Sequence, residues 1–146
     1  MLLKKTEQQG KIKALYLSSN ICASIYDKEN KDLIIIYKNG GQYKYPTVSL
    51  TDYTRFEMAD SQGAVFNSHL KKYAHLKLDR VDTAEIMNEV NDLKEAEDKK
   101  MLEDATILMI HQLQSVLTMY NVSGAIDSAI LDKADKSIQH YKGIKK

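Results

Sequence analysis

The sequence predicts an α+β fold: a small antiparallel β-sheet with two short helices, followed by a C-terminal α-helical hairpin. Three observations carry that expectation. Residues 21–45 alternate or cluster β-branched and apolar residues around a glycine turn, residues 49–73 switch to helical spacing, and every signal beyond residue 79 is helical. Strands followed by helices, rather than alternating with them, make an α+β unit. The expected division is therefore residues 1–78 as the α+β domain and 79–146 as a helical region for packing or oligomerisation.

Ile21, Ala23 and Ile25 alternate, "DKENKD" is a polar turn, and "LIIIY" at 33–37 reads as a buried strand. "KNGG" at 38–41 is a hairpin signal, because Asn and Gly tolerate the positive φ of tight turns. Residues 12–17, "IKALYL", fit either an edge strand or a helix start. Pro46 removes a ladder donor and ends the last strand. Ser49 with Asp52 three residues on forms a helix-start pair, and Leu50, Tyr53, Phe56 and Ala59 follow at helical spacing. A second short helix carries Phe66, Leu70 and Tyr73 on one face, joined through "DSQG" at 60–63.

In the second half, Asp82 and Glu85 mark a helix start, and Ile86, Val90 and Leu93 begin an apolar stripe. Leu102, Thr106, Met109, Leu113, Val116 and Tyr120 then alternate by four and three, a heptad seam broad enough to need a cover. Leu102, Met109, Leu113 and Val116 are the expected oligomerisation or partner-binding residues. "YNVSG" at 120–124 breaks the run, and Ile126, Ile130, Ala134, Ile138 and Tyr141 continue on a last helix.

The net charge of +1 hides a division. Residues 1–78 hold twelve Lys or Arg against seven Asp or Glu, giving +5, and residues 79–146 hold nine against thirteen, giving −4. A basic first half attracts phosphates, whereas solubility alone also accounts for exposed lysines. A single cysteine, Cys22, allows no internal disulfide and fits a reducing compartment. No apolar signal segment opens the chain and no apolar run approaches the roughly 20 residues of a membrane span, so a cytoplasmic, non-membrane protein is expected.

Catalytic chemistry finds no foothold. His69, His75, His111 and His140 lack metal-ligand spacing, Cys22 lies in a strand, and "NGGQ" lacks the Lys-Ser/Thr of a phosphate loop. Asp82, Glu85, Glu89 and Asp92 line one helical face, which reads as a solvated surface rather than a cation site. No cofactor, metal or enzymatic activity is expected.

The segment "SSNICASIYD … YKNGGQYKYPTV … DYTRFEMADSQGAVFNSHLKKY", residues 18–73, resembles the KTSC domain, a module at the C-terminus of some lysyl-tRNA synthetases and in stand-alone bacterial and phage proteins. The resemblance is carried by Ser18, Ser19, Ile21, Tyr26, Asp27, the "YKY" at 43–45, Val48, Tyr53, Phe56, Ala59, Ser61, Gly63, Phe66, Asn67 and "LKKY" at 70–73. Ile25 replaces a usual small residue, and Ser49 stands where a proline usually follows the valine. The resemblance implies an RNA-binding module through its synthetase association and transfers no catalytic residues.

The resulting functional expectation is a non-enzymatic binder of single-stranded RNA or DNA using Lys38, Tyr43, Lys44, Tyr45, Arg55, Asn67, Lys71 and Lys72. The alternative is a protein-interaction or regulatory module, acting through the helical half. For the tyrosines the hairpin loop decides. A loop of two or four residues sets Tyr43 and Tyr45 beside Ile34 and Ile36, in the core. A three-residue loop, 39–41, sets Tyr43 opposite Tyr37 and Tyr45 opposite Ile35, a row of aromatics that can stack bases if it faces solvent. The two-residue Asn-Gly loop is the commoner solution.

Overall fold

The computed structural model describes residues 1–122 and, beyond them, residues 132, 133, 136, 139 and 140. The chain divides into two compact units, Met1–Ala96 and Glu97–Lys146, so the first extends past residue 78 to include the opening turns of the long helix. It is an α+β unit built on a six-stranded antiparallel sheet in simple sequential order: β1 (Leu2–Gln8), β2 (Lys11–Tyr16), β3 (Ile21–Asp27), β4 (Asp32–Tyr37), β5 (Gln42–Tyr45) and β6 (Leu76–Leu78). Residues 12–16 are thus a strand, and an inner one, because β1 pairs outside it.

Turn chemistry fixes the registers. Gln9 and Gly10 both take positive φ, 50° and 73°, the requirement of a two-residue hairpin whose twist matches the strands. Between β4 and β5 the loop holds three residues, 38–40. Tyr37 N–H donates to the Gly41 carbonyl at 2.9 Å, and Gly40 N–H donates to the Tyr37 carbonyl at 2.9 Å. Only Gly40 has positive φ, 84°, whereas a two-residue Asn-Gly turn needs positive φ at both centres. Asn39 instead uses its side-chain oxygen to accept from Gly41 N–H at 3.0 Å.

The register that results pairs Ile35 with Tyr43 and Leu33 with Tyr45. Tyr43 and Tyr45 therefore share a face with Leu33, Ile35 and Tyr37, the odd-loop parity, but shifted by two residues from the register that a 39–41 loop would give. That face is the core face. It joins Ile12, Ala14, Tyr16, Tyr26, Leu33 and Ile35 to Val48, Tyr53, Phe56 and Leu70 from the overlying helices.

Those helices are α1 (Leu50–Glu57), α2 (Gln62–Val65) and a π-helix, Phe66–Leu70. Ser49 caps α1, its hydroxyl accepting from Asp52 N–H at 3.1 Å as the Ser-x-x-Asp pattern predicts. Tyr53 stacks on Tyr26 at 4.2 Å between ring centroids, and Phe56 meets Tyr16 edge-on at 5.4 Å. Each such fully buried apolar side chain contributes about 1.5–3 kcal/mol relative to exposure. Buried polar groups in this layer are paired: Tyr53 donates to Glu57, which also meets Lys5 Nζ at 2.8 Å, and Tyr16 shares a hydrogen bond with Ser24 at 2.7 Å.

The opposite face of the sheet carries Leu15, Cys22, Ala23 and Ile36, covered by Val81 and by Ile86, Met87, Val90 and Leu93. The last four lie on the first turns of α3 (Ala84–Val122), where the apolar stripe read from the sequence meets the sheet. Cys22 is fully buried and its burial pushes the thiol pKa up, so it is a packed side chain.

In the second unit α3 runs unbroken as far as Val122, past the first residues of "YNVSG". Leu102, Met109, Leu113 and Val116 are exposed on it. The predicted second arm of the hairpin, with Ile126, Ile130, Ala134, Ile138 and Tyr141, lies outside the described residues. Among the described residues no helix is long and apolar enough to cross a membrane.

Candidate nucleic-acid interface

Where β4, β5 and β6 meet the π-helix, the core face is not fully covered, and a cavity of about 450 Å³ opens. Its walls are aromatic: Tyr37 from β4, Tyr43 and Tyr45 from β5, Phe66 from the π-helix and His75 just before β6. The rings hold one another edge-on, except for a tilted Tyr45–His75 pair. Tyr43 meets Tyr37 at 5.7 Å and 87°, and His75 at 5.8 Å; Tyr45 meets Phe66 and His75, each at 5.7 Å. Lys71, Lys77 and Arg80, with Asn39 and Gly41, complete the lining, and no carboxylate belongs to it.

Each cation has a local reason to be there. In the β5–β6 register Lys77 lies opposite Tyr43, so it shares that face while Leu76 and Leu78 take the other. Lys71 owes its place to the π-helix. Its N–H donates to the Phe66 carbonyl at 2.9 Å, an i to i+5 closure that stacks residue 71 over residue 66. Regular α-helical geometry would rotate it roughly 140° around the axis, away from Phe66. π-helical turns are uncommon and concentrate at functional sites. Arg80 is held by the hairpin tip, donating through Nη2 to the Asn39 carbonyl.

That tip is clasped by the segment after β6. Val81 N–H donates to the Gly40 carbonyl at 3.0 Å, Thr83 Oγ1 donates to the Lys38 carbonyl at 2.9 Å, and Gln42 Nε2 donates to the Asp79 carbonyl at 2.9 Å. A Cβ on Gly40 would stand 2.5 Å from the Val81 carbonyl oxygen. Glycine is therefore required twice at this position, for its φ and for the close approach of a second backbone.

The structure brings together only part of the residue set chosen from the sequence. Tyr43, Tyr45 and Lys71 line the cavity. Tyr45 is only 3% exposed, so it supplies a wall and not a free stacking face, whereas Tyr43 is half-buried. Burial, with the phenol of Tyr37 next to it, holds the Tyr45 hydroxyl protonated far above the ordinary tyrosine range, and burial raises Tyr37 as well. Lys44 points to the other side of β5 and pairs with Asp32 at 2.6 Å. Lys72 and Arg55 converge on Asp52 at 2.9 and 3.7 Å, where Tyr73 also donates at 2.7 Å. Lys44 thus has a carboxylate of its own, whereas Lys72 and Arg55 share one. Lys38 is half-buried behind the turn and Asn67 is exposed, neither of them on the cavity.

Sequence reasoning passed over Phe66, His75, Lys77 and Arg80 as site residues. A signal existed in "HLKLDR", where Leu76, Lys77 and Leu78 alternate as a strand does, but three residues are too few to stand out without a partner. Among the described residues no group of three or more His, Cys, Asp or Glu is placed to hold a metal ion.

Comparison with known proteins bears on part of this chain. Residues 17–73 match the family model of the KTSC domain. A solved crystal structure of a KTSC domain protein from Yersinia pestis is similar at 28% identity, covering 47% of this chain and 99% of that one, with a TM-score of 0.45. No curated protein matches. The family match takes in Tyr37, Tyr43, Tyr45, Phe66 and Lys71 and ends before His75, Lys77 and Arg80, so the cavity is only partly built from the matched segment.

Proposed function

We propose, from the premise that residues 17–73 are a KTSC domain, that this protein binds single-stranded nucleic acid through the aromatic cavity at the β5–β6 end of the sheet. The observation that carries the reading is one lining that joins Tyr37, Tyr43, Phe66 and His75 to Lys71, Lys77 and Arg80 with no carboxylate among them. Every nucleobase has a π-face, and stacking on aromatic side chains contributes about 1–3 kcal/mol per base without demanding a sequence. Lys71 and Lys77 have no carboxylate partner among the described residues, so their charge is available to phosphate. The basic excess of the first half thus contributes locally, since several of its other lysines are tied to Glu or Asp.

Fluorescence anisotropy of a labelled single strand against the full chain tests the reading. Each phosphate neutralised at the cavity contributes about −0.7 to the slope of log affinity against log salt for a single strand. Lys77→Gln and Lys71→Gln each weaken binding at low salt, whereas Lys44→Gln leaves it unchanged. Absence of binding at low salt would remove the proposal.

A second reading concerns the long helix. Leu102, Met109, Leu113 and Val116 are exposed along it, a run of apolar surface at heptad spacing that favours self-association or a protein partner. It is compatible with the first, because two copies would present two cavities and raise affinity by avidity.

A further inference from the structure

We infer that the cavity takes one nucleotide unit, a single base with its phosphate, rather than a track of successive bases. This rests on the nucleic-acid reading of the same cavity and narrows it. A volume of about 450 Å³ falls in the range of small-ligand sites, about 300–1,000 Å³.

The rings converge instead of spreading. A surface that binds an extended strand spaces its aromatics so that successive bases each find one. Here Tyr43 meets both Tyr37 and His75, and Tyr45 meets Phe66 and His75, so the rings crowd around one space instead of standing apart as separate platforms. Tyr45, the next aromatic along β5, is buried. The neighbouring cation on that strand, Lys44, lies on the opposite face and is paired with Asp32. Nothing on β5 beyond Tyr43 continues the site towards a second base.

Walls also bound it on two sides. On one side the 38–40 turn is clasped by Val81, Arg80 and Thr83, and on the other the π-helix places Phe66 and Lys71 together. Cations from both sides, Lys71 from the π-helix and Lys77 and Arg80 from the β6 segment, border one aromatic enclosure. Such an arrangement suits an apolar base inside and one phosphate group at the edge. The same unit can come from a free nucleoside 5′-monophosphate or from the 5′-phosphorylated end of a strand.

Competition experiments on the full chain separate these cases. A labelled ten-nucleotide strand with a 5′-phosphate is the probe, and unlabelled nucleoside 5′-monophosphates, the same strand without its 5′-phosphate and inorganic phosphate are competitors. The expected result is full displacement of the probe by a monophosphate, one site per chain, with inorganic phosphate far weaker because it offers no base. Displacement by the dephosphorylated strand as strong as by the phosphorylated one would show that an internal unit suffices; a large loss would assign the end. Tyr43→Leu, which keeps an apolar side chain at this half-buried position, weakens monophosphate binding by about tenfold, and Lys77→Gln, at an exposed residue, weakens it without a change in thermal stability. A probe that binds but resists every monophosphate, or monophosphate binding indifferent to both variants, overturns the inference and leaves the broader nucleic-acid reading standing. Failure of the strand itself to bind takes down both.

Discussion

Replacing Gly40 by alanine is the sharpest test of how the cavity is held. Alanine at a φ of 84° incurs about 1–2 kcal/mol of left-handed strain. Its Cβ would also stand 2.5 Å from the Val81 carbonyl oxygen, a backbone atom that cannot swing aside as a side chain would. Relief requires the 79–83 segment to move and the 3.0 Å bond from Val81 N–H to the Gly40 carbonyl to open, a further ~0.5–1.5 kcal/mol. The expected loss is therefore about 1.5–3.5 kcal/mol. Gly10→Ala is the control: its φ is 73°, but nothing lies within 4 Å of the added Cβ, so it incurs the strain alone. Urea unfolding followed by tyrosine fluorescence, in a chain with nine tyrosines and no tryptophan, measures both. Gly40→Ala should lower the midpoint by about 0.5–3.5 M at typical slopes for a small protein, and by more than Gly10→Ala does. Equal losses in the two variants would refute the close-approach argument, and a Gly40→Ala change below about 0.5 kcal/mol would refute the whole of it.

Two further outcomes are expected. The Asp52 carboxyl is held below its ordinary pKa first by the Tyr73 hydroxyl and then by Lys72. Because the folded pKa is the depressed one, the stabilisation is present above the unfolded value near 3.8 and is lost as pH falls through the lower folded value. Asp52→Asn should thus melt below the parent at neutral pH, with the gap narrowing below pH 3.8; a gap independent of pH would contradict the assignment. On the long helix, Met109→Glu with Leu113→Glu should leave thermal unfolding of the first unit unchanged. If the exposed stripe joins two copies, sedimentation shows a dimer for the parent and a monomer for the variant, whereas a parent that sediments as a monomer excludes self-association.

Much of the sheet-and-helix layout was readable because its signals are local. The β3 and β4 strands, the Ser49 cap and the Phe56 and Leu70 faces each follow from residues a few positions apart. The first hairpin was not read, since its turn uses Gln9 at positive φ, where a glutamine gives little warning. The sequence leaves the loop length open between even and odd for a related reason: "NGG" offers two glycines, and the one that adopts the left-handed conformation is the one packed against Val81, some forty residues away. The odd length of the loop set the face of Tyr43 and Tyr45, and its position along the chain set their partners. The core side then followed from α1 and the π-helix covering that face, which strand alternation alone does not specify.

The candidate site was legible in its aromatic half and obscure in its cationic half. Tyr43, Tyr45 and Lys71 stood out by composition. Lys44, Arg55 and Lys72 looked equivalent to Lys71 in the sequence, yet each has a carboxylate partner contributed by the fold. Lys77 and Arg80 reach the cavity through a three-residue strand and a backbone clasp, both of them products of tertiary pairing.

The segment after Tyr73 acts on the domain much as a latch acts on a box whose lid and walls are already made. Cutting the chain at the edge of the family match would strip the enclosure of His75 and of two of its three positive charges, unpair the outer edge of β5 and free the Gly40 turn from its keeper. The cavity is thus the joint work of two stretches of chain, one inside the family match and one beyond it.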